Sequence, residues 1–163
     1  MAHIINAVIL KGTYNKEEAE KYELIGVELD FNLNLFFVDK YYTAYWQKKL
    51  GNTGYLVTNN SFKNEMVIFE LMKRIAHHRP IQYATIATAY VGGMGEQYAN
   101  AYQDQENVDV SINDINKALH YLGVSRSAED DEFDRVGLGR FRKNPDFLDK
   151  YRDMAKDLGV DID

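Results

Sequence analysis

The sequence predicts an α+β domain built on an antiparallel or mixed sheet of about five strands, with helices packed mainly on one face. Three observations carry that expectation. His3 to Leu10 is an almost unbroken apolar run rich in Ile and Val, the pattern of a strand covered on both faces. Ile25, Val27, Leu29, Phe31, Leu33 and Leu35 take every odd position, while Gly26, Glu28, Asp30, Asn32 and Asn34 fill the even ones. A period of two sorts side chains onto opposite faces of a strand. Beyond residue 110 the apolar spacing turns helical and is sharply punctuated.

Taken in order, Asn15 to Glu23 is a short charged helical segment. The odd–even run is either one long half-exposed strand or two that keep register across a bend. Antiparallel pairing is favoured, because parallel strands are usually covered on both faces. Asp39 caps a helix through Lys40 to Leu50, and Gly51 ends it. Asn52 to Asn60 is rich in turn residues, with a short strand at Tyr55 to Val57. Ser61 caps a stronger helix whose stripe is Phe62, Met66, Phe69, Met72 and Ile75. Lys73, Arg74, His77, His78 and Arg79 form its last turn, and Pro80 stops it.

Ile81 to Val91 reads as a strand. Gly92-Gly93-Met94-Gly95 breaks it and Glu96 to Gln103 resumes it, a hairpin with a four-residue connection. Ser111 and Asp114 form a capping box for a helix with Ile112, Ile115, Leu119 and Leu122 inward, ended by Gly123. Asn144, Pro145 and Gly159 punctuate a last helix along Leu148, Tyr151, Ala155 and Leu158. No linker or repeat interrupts residues 1–163, which read as a single domain.

Composition narrows the function. The chain has 163 residues and a net charge of −6, which argues against nucleic acid and anionic membranes as general partners. Without cysteine there is no disulfide, thiol nucleophile or thiolate metal site. No Lys or Arg precedes the first apolar run and Asn6 interrupts it, so it reads as a buried strand rather than a signal peptide. No stretch approaches the roughly 20 apolar residues of a membrane span. The expectation is a cytoplasmic protein with no membrane partner.

Each candidate site competes with a plainer role. Gly92, Gly93 and Gly95 with Glu96 and Gln97 match neither the dinucleotide fingerprint nor the Walker pattern, so a hairpin turn ranks above a ligand pocket. His77 and His78 are adjacent and point roughly 100° apart on a helix, unlike a chelating pair. Counted from Asp130, the calcium-loop pattern needs glycine and glutamate where Arg135 and Phe141 stand. Gly137 to Lys143 mixes basic and aromatic residues but is short and set in an acidic protein. No nucleophile elbow occurs and no spacing singles out two carboxylates, so no catalytic residue, metal or cofactor is expected. Tyr41, Tyr42, Tyr45 and Trp46 occupy adjacent stripes of one helix. They serve either as interface anchors or as extra thickness for the core.

Three segments, Tyr90 to Gln97, Ile112 to Gly123 and Asp131 to Gly139, resemble small uncharacterised bacterial proteins associated with immunity to toxins. The resemblance implies a bacterial source and a binding role. The leading expectation is a non-enzymatic protein-binding domain of the toxin-immunity type. Its contacts would be Tyr41, Tyr45 and Trp46, with Asp130, Asp131 and Glu132 steering a basic partner. The alternatives are a small hydrolase or ligand-binding protein with a pocket at Gly92–Gln97 and Glu96 as acid or base, and a homodimer paired through its aromatic surface.

Overall fold

Burial on both faces places the first apolar run at the centre of a sheet. The computed structural model describes residues 2–59 and 63–162. In chain order, β1 (Ala2–His3) and β2 (Asn6–Lys11) precede α1 (Lys16–Glu20), β3 (Gly26–Leu29), β4 (Leu33–Phe37) and α2 (Lys40–Lys49). A small hairpin of β5 (Tyr55–Leu56) and β6 (Asn64–Glu65) leads into α3 (Val67–Ile75). The long strands β7 (Gln82–Val91) and β8 (Met94–Gln103) follow, then β9 (Glu106–Asn107), α4 (Ile115–Tyr121), α5 (Glu132–Arg135) and α6 (Tyr151–Asp157). Single 3-10 turns stand at Leu138–Arg140 and Asp146–Leu148.

The main sheet has seven strands in the order β3-β4-β2-β7-β8-β9, with β1 beside β7, and its strand pairs are antiparallel. The α+β class is as predicted. The strands beyond about five are β1 and β9, each two residues long and too short to show a period. β1 and β2 hold one register along β7, with Ala2 opposite Val91 and Asn6 opposite Ala87.

Register also assigns the faces. Val8, Thr85 and Asn100 lie abreast on one, called the front, as do Leu10, Tyr83 and Tyr102. Ile9, Ala84 and Ala101 lie abreast on the back. Tyr83 and Tyr102 stack at 5.2 Å on the front, fully buried. Above them the β5–β6 hairpin runs into α3, which packs with α1 and α2, and α6 packs outside α2. The back is closed by α4, held where the Tyr121 hydroxyl accepts from Gln82 Nε2, and by α5 beside it.

Of the two readings of the odd–even run, two strands in register across a bend is the one observed: Phe31 and Asn32 turn the chain with positive φ, and Leu29 pairs with Leu33, so the odd side chains keep one face. Several boundaries differ from expectation for local reasons. Asp39 caps α2 as expected, accepting from the N–H groups of Tyr41 and Tyr42. α3 starts at Val67 because Asn64 and Glu65 are spent on β6; Ser61 and Phe62 lie outside the described residues. His77, His78 and Arg79 follow the helix rather than end it. Asp114 alone caps α4, while the Ser111 hydroxyl donates to Asp109. Asn144 does not cap the last helix: its Oδ1 accepts from the Asn6 N–H, and the expected helix is split into a 3-10 turn and α6.

Candidate functional site: a bare sheet face and the cleft beside it

The aromatic residues of α2 are packed largely against one another. Trp46 meets Tyr22 edge-on at 5.2 Å and Tyr45 at 5.1 Å, and Tyr45 meets Tyr151 of α6 at 5.4 Å. Tyr45 and Trp46 are half-buried, and they join α2 to α6 and to the segment that follows α1. Tyr41 is also half-buried, with the Arg152 guanidinium 5.8 Å from its ring centre.

The acidic trio lies on α5 and its approach, across the sheet from α2. Asp130 is exposed. Asp131 accepts from the Asp134 N–H at 2.9 Å and from Asn116 Nδ2 at 3.0 Å, capping α5 and tying it to α4. The Asp134 N–H foremost holds the Asp131 carboxyl below its usual range. Glu132 is buried. The structure therefore does not gather the aromatic and acidic groups on one surface.

The glycine segment is the tip of a protruding hairpin. Gly92 and Gly93, at φ 61° and 81°, form a two-residue turn of the type that matches strand twist, and Met94 and Gly95 already belong to β8. A Cβ on Gly92 or Gly93 would meet nothing within 4 Å, so both face open space. A Cβ on Gly95 would stand 1.9 Å from the Ala89 carbonyl oxygen, so the ribbon closes only around glycine. Gln97 Oε1 accepts from the Ile115 N–H at 2.8 Å and fixes the start of α4. Glu96 accepts from the Tyr98 hydroxyl and pushes that phenol's pKa up.

Sequence reasoning missed what this hairpin does to the front face. Among the described residues, only β1, β7 and β8 continue at its end of the sheet. Their back is covered: His3 is buried, shares a 2.8 Å hydrogen bond with the Thr88 hydroxyl, and sits against the Leu138 carbonyl. By register, Ala2, Ile4, Ala89, Val91, Met94, Glu96 and Tyr98 share the front, with the exposed Glu96 carboxylate opposite Ala89. Ile4 is 45%, Val91 64% and Met94 80% exposed. On the outer edge of β8, β9 pairs with Tyr102 and Gln103, the Val108 N–H reaches the Ala101 carbonyl and Asn59 Nδ2 the Ala99 carbonyl, so among the described residues the edge is open only from Gln97 to the turn. With Val91 and Met94 flanking a two-residue turn, Gly95 and Gln97 direct their backbone groups outward.

Beside this surface, a cleft of about 590 Å³ opens between α2, the β5–β6 hairpin and the front of the sheet. Its floor is polar and ordered. Asn64 Nδ2 donates to the Thr85 hydroxyl at 2.7 Å and to the Tyr102 oxygen at 2.9 Å, and the Tyr102 hydroxyl donates to the Val57 carbonyl. Burial pushes the Tyr102 phenol up to about 12. Gln47 joins the hairpin to α2, donating to the Gly54 carbonyl at 2.7 Å and accepting from the Val67 N–H at 2.8 Å.

Three carboxylates, Asp39, Glu65 and Asp161, and three lysines, Lys40, Lys48 and Lys63, also line the cleft. Burial raises the Asp39 pKa despite its bonds to the Tyr41 and Tyr42 N–H groups, and the Asp149 charge adds to the shift. Burial raises Glu65 too, partly offset by its own backbone N–H and by the Lys63 charge. In the sequence Asp39 showed only its capping role, and Glu65 lay inside an expected helix, so nothing linked the two. No protein-family model, curated protein or solved structure matches this chain.

Proposed function

We propose that this chain is a non-enzymatic domain that binds another protein on the bare front of its β1–β7–β8 ribbon. The observation that carries the reading is the exposure of Ile4, Val91 and Met94 together on one uncovered sheet face. Exposed contiguous apolar surface on a folded domain marks interaction sites. The open β8 edge adds backbone groups that an extended partner segment can pair with. The net charge of −6 favours encounter with a basic partner. An inhibitor of the toxin-immunity type is the specific form that the sequence resemblance suggests, and the charge points to a basic toxin. No helix among the described residues is long and apolar enough to cross a membrane.

The test is a photo-crosslinking amino acid at Met94, with Lys156 on the exposed face of α6 as control position, in lysate at low and high salt. One foreign basic chain captured from position 94 alone, and less of it at high salt, supports the reading. Capture of a second copy of this chain replaces it with a homodimer. Equal capture from both positions refutes it.

A further inference from the structure

We infer that the protein partner adds a strand to the outer edge of β8, antiparallel to it and with a basic side chain beside Glu96; the inference rests on the ribbon being the protein-binding surface. β8 pairs with β7 in unbroken register from Gln103 to Met94, so its main-chain groups alternate between facing β7 and facing away. The carbonyls of Ala99 and Ala101 face away and are already engaged, by Asn59 Nδ2 and by the Val108 N–H. Gln97 and Gly95, two and four positions before Ala99, share that outward sense. Thr88, opposite Gln97, confirms it by sending its N–H the other way, to the Ile5 carbonyl. No described residue bonds to the outward main-chain groups of Gly95 and Gln97.

The residues of this edge do little to repel a strand. Sheet edges are ordinarily blunted by proline, lysine or a bulge. Met94-Gly95-Glu96-Gln97 has none of these. Its one charge is Glu96, which is exposed and in no ion pair with a described residue. Side chains directly opposite each other on adjacent strands interact, and like charges there repel. An added strand therefore fits best with Lys or Arg level with Glu96 and an apolar residue level with Met94. The residue between them, level with Gly95, faces the back. Gly95 offers no side chain there and Tyr90 across from it is half-buried, so an aromatic ring fills the place.

The place is bounded at both ends. Asn59 Nδ2 donates to the Ala99 and Ile112 carbonyls and closes it beyond Gln97, and the turn ends it at Gly93. That leaves room for about five residues of extended chain. Read from its N-terminus, an antiparallel strand there runs basic, aromatic, apolar. A second copy of this chain does not supply that pattern. Its own edge carries no Lys or Arg, and pairing Gly95 of one copy with Gln97 of the other sets two Glu96 carboxylates side by side.

The probe is the peptide acetyl-Thr-Arg-Tyr-Val-Thr-amide, whose residues would stand level with Gln97 to Gly93 in that order. It is titrated into the full chain while backbone amides are followed by NMR. Saturable shifts are expected, largest at the Gly95 and Gln97 N–H groups. N-methylation of the probe's Tyr, whose N–H faces β8, is expected to weaken binding about tenfold or more. N-methylation of its Arg, whose N–H faces away, is expected to leave the affinity unchanged. Glu96→Gln, which keeps an acceptor for Tyr98, is expected to weaken binding about threefold, the worth of an exposed ion pair. Absence of saturable shifts at Gly95 and Gln97, equal tolerance of the two methylated probes, or an affinity indifferent to Glu96→Gln overturns the inference. The two readings fail separately. Capture of a foreign chain from Met94 without shifts at Gly95 and Gln97 removes the added strand and leaves the binding face. Equal capture from both crosslinking positions, with the probe bound as expected, removes the proposed function and leaves the strand-accepting edge.

Discussion

Replacing Asn64 by alanine removes the side chain that fastens the β5–β6 hairpin to the sheet. Its Nδ2 makes two buried bonds, to Thr85 and to Tyr102, at 2.7 and 2.9 Å. A net hydrogen bond is worth about 1 kcal/mol, and a buried partner left unsatisfied costs more. Water reaching Thr85 through the cleft offsets part of that cost, and Tyr102 still donates to Val57. The expected loss is therefore about 2–3 kcal/mol. For a chain of this length each kcal/mol moves Tm by roughly 2–4 °C, so the expected drop is roughly 5–10 °C. Thermal denaturation followed by circular dichroism reads it. A double-mutant cycle with Tyr102→Phe should show coupling of about 1 kcal/mol, because the two residues share one bond. A drop under about 2 °C, or no coupling, would mean that Asn64 does not hold the hairpin and that the floor of the cleft is not rigid.

Glu65→Gln is expected to raise Tm at neutral pH. Folding raises the Glu65 pKa through burial, so the native state resists ionisation; its contribution is present below the ordinary carboxylate pKa and is lost as pH rises through the raised one. The gain of the variant should therefore vanish on acidification, and a constant gain across pH would contradict this. Asp131 has the opposite sign: its pKa is lowered chiefly by the Asp134 N–H, so its contribution holds at neutral pH and is lost as pH falls through the lowered value. Asp131→Ala should cost about 1 kcal/mol as a lost helix cap, with the deficit shrinking in acid, read by urea denaturation at several pH values. Gly95→Ala is expected to disrupt the ribbon, since its Cβ would collide with the Ala89 carbonyl. Amide exchange should accelerate at residues 89–98 first, and unchanged protection there would refute the clash.

What was legible in the sequence was whatever a period or a punctuating residue could encode. Ile5, Val8, Ile9 and Leu10 are buried on both sides of the sheet, and an uninterrupted apolar run says that directly. Asp39, Gly51, Asp114 and Gly123 marked helix ends because capping and positive φ select residue types locally. The place of the bend at Phe31 was not legible, because an odd number of residues from Leu29 to Leu33 preserves parity and the alternation continues through the turn. The cleft was invisible for a different reason. Asp39, Glu65 and Thr85 meet only after α2 and the small hairpin fold over the front, and no spacing in the chain records that approach. The bare face was equally silent. Ile4 and Val91 read as core in any strand pattern, and their exposure depends on no helix being laid across that end of the sheet.

The break between β1 and β2 sets an order in time. At that gap the Ile4 N–H donates to the Arg142 carbonyl and the Asn6 N–H to the Asn144 side chain, a partner 138 positions along the chain. The strand that borders the exposed ribbon is thus stitched in place by the segment just ahead of the last helix. Contacts so distant in sequence form late, because a long loop must close before they give any return. As the chain emerges during synthesis, its central sheet can assemble while the first residues still hang free. The exposed front of the ribbon is finished only when residues 142–144 have come back to meet β1.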